Sequence, residues 1–274
     1  MISTRQNPSW AQTVAWRAAA AVSLFLSISS WAASGDYPLD EFTGDKGDLP
    51  SLQRGAQTFF NYCLGCHGLR YQRYQRTADD LGIPADLFAE NLIFTGAGMG
   101  SHIESSMDQE LSKNWFGVAP PDLTMVTRVR GVDWLYTYLR TFYVDETRPL
   151  GVNNKVFPNV GMPHALIELQ GVPELSCKEV PKIAPNGGEM RDPLIPGKKI
   201  TETRCDFITV REGTGLLDAE AYEQLVLDLV NFLDYVSDPT AMERQRLGVF
   251  VLLFLVILFV LAYLLNREYW QNIR

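Results

Sequence analysis

The stretch "NYCLGCHGL", Asn61 to Leu69, gathers two of the chain's four cysteines and one of its three histidines within five positions. Three chemistries use such a cluster: a covalently held haem, half of a zinc site, or a redox-active dithiol. A c-type haem needs two thiols spaced to reach both vinyl groups, and a histidine directly after the second so that its imidazole turns beneath the iron. Cys63, Cys66 and His67 meet this requirement. A structural zinc site wants four ligands, and Cys177, Cys205, His102 and His164 offer no second close pair. A thioredoxin-type dithiol belongs beside a βαβ pattern, whereas the residues leading into this motif have a helical period. The expectation is therefore one haem c per chain, attached through Cys63 and Cys66, with His67 as an axial ligand of the iron.

Outward from the motif, "SLQRGAQTFFNYC" starts at Ser51, which can cap a helix, and places Leu52, Ala56, Phe59, Phe60 and Cys63 at spacings of three and four. Similar periods predict helices over 84–94 and 132–144, the latter with Trp134, Leu135, Tyr138, Leu139 and Phe142 on one face. A last soluble helix is expected from near Asp218 to Val236, ended by Asp238-Pro239. Residues 33–50 read as an extended surface arm, and "TGAGMGS" as a flexible loop without the dinucleotide-binding spacing. Residues 171–215 hold five prolines and β-prone pieces such as "DFITV", which reads as a peripheral excursion with a hairpin as its candidate form. The soluble core is mainly α.

Both ends speak of export and anchoring. Arg5 and Arg17 precede an apolar run from Ala18 to Ile28, and Ser30-Trp31-Ala32 supplies small residues for cleavage, so residues 1–32 read as a signal peptide. "GVFVLLFLVILFVLAYLL", Gly248 to Leu265, is 18 residues without a charge; as a helix it is about 27 Å long, close to the hydrocarbon thickness of a bilayer. The organisation expected is a signal peptide, a periplasmic haem domain over 33–240 and an anchor with a short cytoplasmic tail over 241–274. Basic residues flank the span equally, so the signal sequence sets the orientation. Loss of Arg5 and Arg17 moves the formal charge from −8 to −10. Such acidity repels nucleic acid and would attract a basic soluble partner.

Export also places Cys177 and Cys205 in an oxidising compartment, where pairing with each other is expected. For electron transfer, iron with both axial positions filled rearranges little on oxidation, and a thioether ligand raises its potential. Met99, Met107, Met125 and Met162 remain as sulfur donors, with His164 and His102 as rivals. Met162 follows a glycine and precedes a proline in "FPNVGMPHAL", a stiff setting able to present sulfur, but spacing alone leaves these alternatives open.

These stretches, together with "WFGVAPPDLT" from Trp115, "RVRGVDWLYTYLRTFY" from Arg128 and "NNKVFPNVGMPHAL" from Asn153, resemble the cytochrome c1 family in its proteobacterial form. The resemblance spans most of the chain after residue 32. It implies a class I cytochrome c-like haem domain within a dimeric cytochrome bc1 complex, a ubiquinol–cytochrome c oxidoreductase. There the subunit would sit beside cytochrome b, take electrons from the Rieske iron-sulfur protein and pass them to a soluble c-type cytochrome. It implies Met162 as the sixth ligand, Arg130 at a haem propionate, and a carbonyl of the Pro120-Pro121 pair, taken as Pro121, fixing the ring of His67. Family members with a disulfide carry it ahead of the methionine, whereas Cys177 and Cys205 follow it, so their pairing rests on compartment chemistry alone. A membrane-tethered monohaem cytochrome serving a terminal oxidase, or a haem enzyme or gas sensor with an open iron site, are the other readings.

Overall fold

The computed structural model describes residues 37–184, 187–192, 194–195 and 197–271. Residues 1–38 and 39–274 form separate units, and every element below belongs to the second. The expected signal peptide lies outside the described residues.

Helix α1, Leu49–Thr58, opens with Pro50 in its first turn and is capped by Asp48, whose side chain accepts from the Ser51 amide at 3.2 Å. Ser51 was the expected cap. It lies instead inside the helix and donates its hydroxyl to Asp228 Oδ1 at 2.7 Å. The last turn widens to a π-helix over Phe59–Cys63, closed by the bond from Leu64 N to Phe59 O at 3.0 Å. This bulge delivers the chain directly into the Cys/His motif, a placement typical of π-turns at functional sites.

After β1, Leu69–Arg73, come α2, Tyr74–Asp80, and α3, Ala85–Leu92; β2, His102–Ile103, pairs antiparallel with β1. The glycine loop before β2 is tied down, with Met99 O accepting from Gln75 N at 2.8 Å. Then follow α4, Gln109–Phe116; α5, Val126–Arg130; and α6, Val132–Arg140. The helix expected over 132–144 stops at Arg140. Phe142–Val144 is strand β3, because its β-prone side chains gain a partner in β4, Val152–Asn154.

Helix α7 is Ile167–Gln170. Strands β5, Pro173–Pro181, and β6, Thr201–Val210, form an antiparallel hairpin in which Cys177 and Cys205 are disulfide-bonded. Its neck is closed by two glycines. A Cβ on Gly215 would stand 2.6 Å from Gln170 O, and one on Gly171, whose φ is +93°, would stand 2.7 Å from Thr214 Oγ1.

The frame is the crossing of α1 with α8, Ala219–Ser237, which Asp218 caps. At the crossing a Cβ on Gly55 would lie 2.0 Å from Asp228 O, so only glycine allows the helices this close. Asp228, 2% exposed, accepts from Ser51, from Arg54 Nε at 2.6 Å and from Gln224 Nε2 at 3.0 Å. A buried carboxylate so engaged is stable only because every partner is present. Phe59, Phe60, Tyr74, Phe88 and Phe232 pack around the crossing as the aromatic core. The arm before α1 docks on this frame: Asp40 N donates to Thr137 Oγ1 at 2.8 Å, Phe42 N to Asp133 Oδ1 at 2.8 Å, and Asn231 Nδ2 to Asp45 O at 2.7 Å.

Beyond Asp238-Pro239, helix α9 runs from Ala241 to Tyr269, and its apolar side chains from Leu247 to Leu265 are exposed all round. It is long and apolar enough to cross a membrane.

Candidate functional site

The π-turn ends at Cys63, and the next residues fold back on it: Cys66 N and His67 N both donate to Cys63 O, at 3.0 and 2.8 Å. One turn of backbone thus carries both thiols and the imidazole. Both cysteines are free, and Cys63 packs against the core. Burial pushes the Cys63 thiol up to about 12, with the neighbouring Cys66 adding to the effect, and burial raises Cys66 as well. A thioredoxin-type dithiol needs the opposite shift, toward thiolate.

Residues 120–124 lie across this turn. Leu123 N donates to Gly68 O at 2.9 Å, Asp122 Oδ2 accepts from Arg70 N at 2.7 Å, and Ser105 Oγ donates to Gly65 O at 3.0 Å. Gly68 lets β2 run close to this turn, since a Cβ there would stand 3.1 Å from Ile103 O. The docking sets His67 Nδ1 2.7 Å from the carbonyl oxygen of Pro121. A carbonyl only accepts, so Nδ1 carries the proton and the lone pair of Nε2 is left for another partner. Burial lowers the pKa of His67, opposed by that carbonyl and by Asp122, which favours the neutral, ligating form.

Met162 follows a braced loop and packs against the core. Asn153 and Asn154 of β4 organise the loop that leads to it: Asn153 Oδ1 accepts from Asn159 N at 2.8 Å, and Asn154 Oδ1 accepts from Val156 N and Phe157 N at 2.9 and 3.1 Å. Asn159 takes the left-handed conformation that turns the chain, with φ +62°. Gly161 then passes so close to the end of α4 that a Cβ would lie 2.9 Å from Phe116 O. One connecting segment, 116–122, therefore touches Gly161 with its start and His67 with its end. The hydroxyl of Tyr138 donates to Met162 Sδ at 3.4 Å.

The rival ligands are differently placed. His164 is buried, stacked on Phe142 at 4.8 Å with Nε2 2.6 Å from Gln170 Oε1, and burial brings its pKa down to about 4. Its ring is committed to the core. His102 is exposed on β2 opposite Arg73, Met125 is 42% exposed, and Met99 is packed against the core. Arg130 lies with its guanidinium carbon 5.1 Å from the ring centre of Trp134 and 5.7 Å from that of Phe157.

Among the described residues, no group of three or more His, Cys, Asp or Glu side chains could hold a metal ion by themselves. Two neutral thiols one turn apart, an imidazole whose tautomer frees Nε2, and a thioether fit instead a prosthetic group that brings its own ring of ligands. The sequence pointed to Cys63, Cys66, His67 and Met162. It did not single out Asn153, Asn154 or Tyr138. The paired asparagines before a Pro- and Gly-containing loop were the available signal, since such side chains bond nearby backbone.

A family model described as the Cytochrome C1 family matches residues 103–273. A protein of Allochromatium vinosum named cytochrome c1 is 47% identical over 88% of this chain and 92% of its own length. A Nitrosomonas europaea protein named ammonia monooxygenase gamma subunit is 40% identical over 86% of this chain and 88% of its own length. A Bradyrhizobium diazoefficiens protein named cytochrome b/c1 is 25% identical over 89% of this chain, which corresponds to 35% of that longer protein.

Proposed function

Because the chain belongs to the cytochrome c1 family, whose members carry covalently bound haem c, we propose that it is the electron-transferring haem subunit of a ubiquinol–cytochrome c oxidoreductase. It would receive electrons from a Rieske iron-sulfur protein and deliver them to a soluble c-type cytochrome. The observation that carries this reading is the turn of Cys63, Cys66 and His67 with the Nδ1 proton fixed on Pro121 O at 2.7 Å. It leaves three groups in the state that covalent attachment and axial ligation require.

In this reading Cys63 and Cys66 would tether the haem, His67 Nε2 and Met162 Sδ would hold its iron, and Arg130 would sit near a propionate. The haem, when bound, supplies a one-electron couple. The chain does the rest. Pro121 keeps the proton on Nδ1 and so keeps Nε2 a ligand. The asparagine-braced loop would hold the thioether, and with His67 and Met162 both engaged the site would be closed to small ligands.

The membrane anchor of the family corresponds to α9. We place residues 33–240 in the periplasm, a short tail in the cytoplasm, and residues 1–32 as a removed signal. The name of the Bradyrhizobium relative, which joins b to c1 in one protein, supports cytochrome b as a neighbour. The 40% identity to a protein named for ammonia monooxygenase favours one second reading, a tethered cytochrome of another assembly.

Purification of the membrane complex decides between them. Cytochrome b and a Rieske protein should accompany the chain with quinol-dependent reduction of the haem, and their absence would reject the first reading. Met162→Ala should abolish the low-spin, high-potential spectrum and let carbon monoxide bind the reduced haem. An unchanged spectrum and potential would reject Met162 as ligand.

A further inference from the structure

We infer that Tyr138 is a positioning residue that holds the Met162 thioether through its hydroxyl and thereby raises the reduction potential of the haem, steadied by an aromatic stack that begins at Arg130. The inference rests on Met162 being the sixth ligand, as proposed above.

Trp134 and Tyr138 are four residues apart on α6 and so share one face. Their rings lie flat on one another, 4.9 Å apart with planes 9° from parallel. Arg130 lies over the ring of Trp134 at 5.1 Å, and Phe157 packs against Trp134 in a T-shaped contact at 6.4 Å. On its other flank Tyr138 meets Phe142 edge-on at 5.1 Å, and Phe142 in turn stacks on His164. Its backbone carbonyl accepts from Asn154 Nδ2 at 2.7 Å. Ring and backbone are thus both fixed, and the hydroxyl is aimed at Met162 Sδ at 3.4 Å.

A thioether sulfur has two lone pairs. With iron taking one, the other can accept from Tyr138 without competition. A donor on that second pair draws electron density from the sulfur, which costs the ferric state more than the ferrous, so the potential rises. The same bond restrains rotation of a flexible methionine side chain, which is otherwise free about three bonds.

The test uses the full chain in its membrane complex, with two readouts: a redox titration of the haem, and the long-wavelength sulfur-to-iron charge-transfer band of its ferric form. Tyr138→Phe keeps the ring and the stack and removes only the hydroxyl. It should shift the equilibrium roughly threefold toward the oxidised form, ~30 mV at 59 mV per tenfold for one electron, with the charge-transfer band displaced but present. Tyr136→Phe serves as control, because that hydroxyl on the same helix bonds Glu223 at 3.0 Å and should leave the potential unmoved. A Tyr138→Phe potential equal to the parent's, or an equal fall in both variants, would overturn the inference. Absence of the band from the parent protein would instead overturn methionine ligation, so the two failures are distinguishable. Trp134→Leu keeps the hydroxyl and removes its platform; a potential falling toward that of Tyr138→Phe supports the stack's role, and one equal to the parent's overturns that part.

Discussion

Asn154 shows how much of the site depends on one side chain that is not itself an expected ligand. It is 1% exposed, and its amide group serves Tyr138 O, Val156 N and Phe157 N at once. Asn154→Ala would orphan a carbonyl on the helix that carries Tyr138 and two amides on the loop that carries Met162. Denaturant unfolding should show a loss of about 3 kcal/mol, and the spectrum should show partial loss of methionine ligation. A loss below about 0.5 kcal/mol with full ligation would mean the loop holds itself. Cys63, Cys66 and His67 could be read from sequence because their chemistry is carried by rare residue types at fixed spacing, whereas Met162 was singled out only by the family resemblance. Asn154 could not be picked out this way: asparagine is common in loops, and what matters here is which backbone groups it reaches after folding.

At the scale of elements, the helices were legible from apolar period, and their ends were less so. Ser51 resembled a cap, but Asp48 wins because its carboxylate reaches the Ser51 amide while the Ser51 hydroxyl is claimed by Asp228 from a helix 177 residues away. Similarly, residues 142–144 continue the helical apolar pattern, but strand pairing with 152–154 overrides it. Such choices are made by tertiary partners, which no local window contains. The crossing of α1 and α8 is the element-scale feature most open to test. Gly55→Ala forces a methyl into Asp228 O and must part the helices, so thermal or denaturant unfolding should show destabilisation of about 3 kcal/mol or more. A stability within ~0.5 kcal/mol of the parent would show that the crossing can yield without cost.

The junction between α8 and α9 is held by charge. Arg128 and Arg244 both reach Asp238, which is 8% exposed, and Lys46 adds its field from the arm. Hydrogen bonding from Arg244 and the charges of Arg244 and Arg128 hold the Asp238 carboxyl below the usual carboxylate range. A carboxyl depressed in the folded state contributes stability above its unfolded value, about pH 4, and loses it as pH falls through the folded value. Hydrogen exchange across residues 238–246, corrected for intrinsic rate, should therefore stay slow near neutrality and accelerate only in strong acid. Asp238→Asn should exchange fast already at neutral pH and respond little to acid. Equal protection in both proteins would show that the arginines do not brace the junction.

Across the whole molecule, sequence conveyed a long apolar C-terminal helix and a mainly helical fold, because composition and hydrophobic length are properties no tertiary contact can disguise. It did not convey how the acidic arm is used. Asp40 pairs with Arg140 at 2.8 Å, Asp45 accepts from Gly47 N at 2.8 Å and Asp48 caps α1, so these carboxylates organise the body's own surface. Any steering of a basic partner then falls to the acidic surface as a whole, so under the proposed function reduction of a soluble cytochrome should depend on ionic strength. All of this presupposes that the turn at Cys63 carries haem. Mass spectrometry of the peptide spanning residues 61–70, taken from chain matured in an exporting cell, tests that most directly. The expected result is a peptide heavier by one haem, with neither thiol available to alkylation; a peptide of unmodified mass with both thiols alkylated would contradict it.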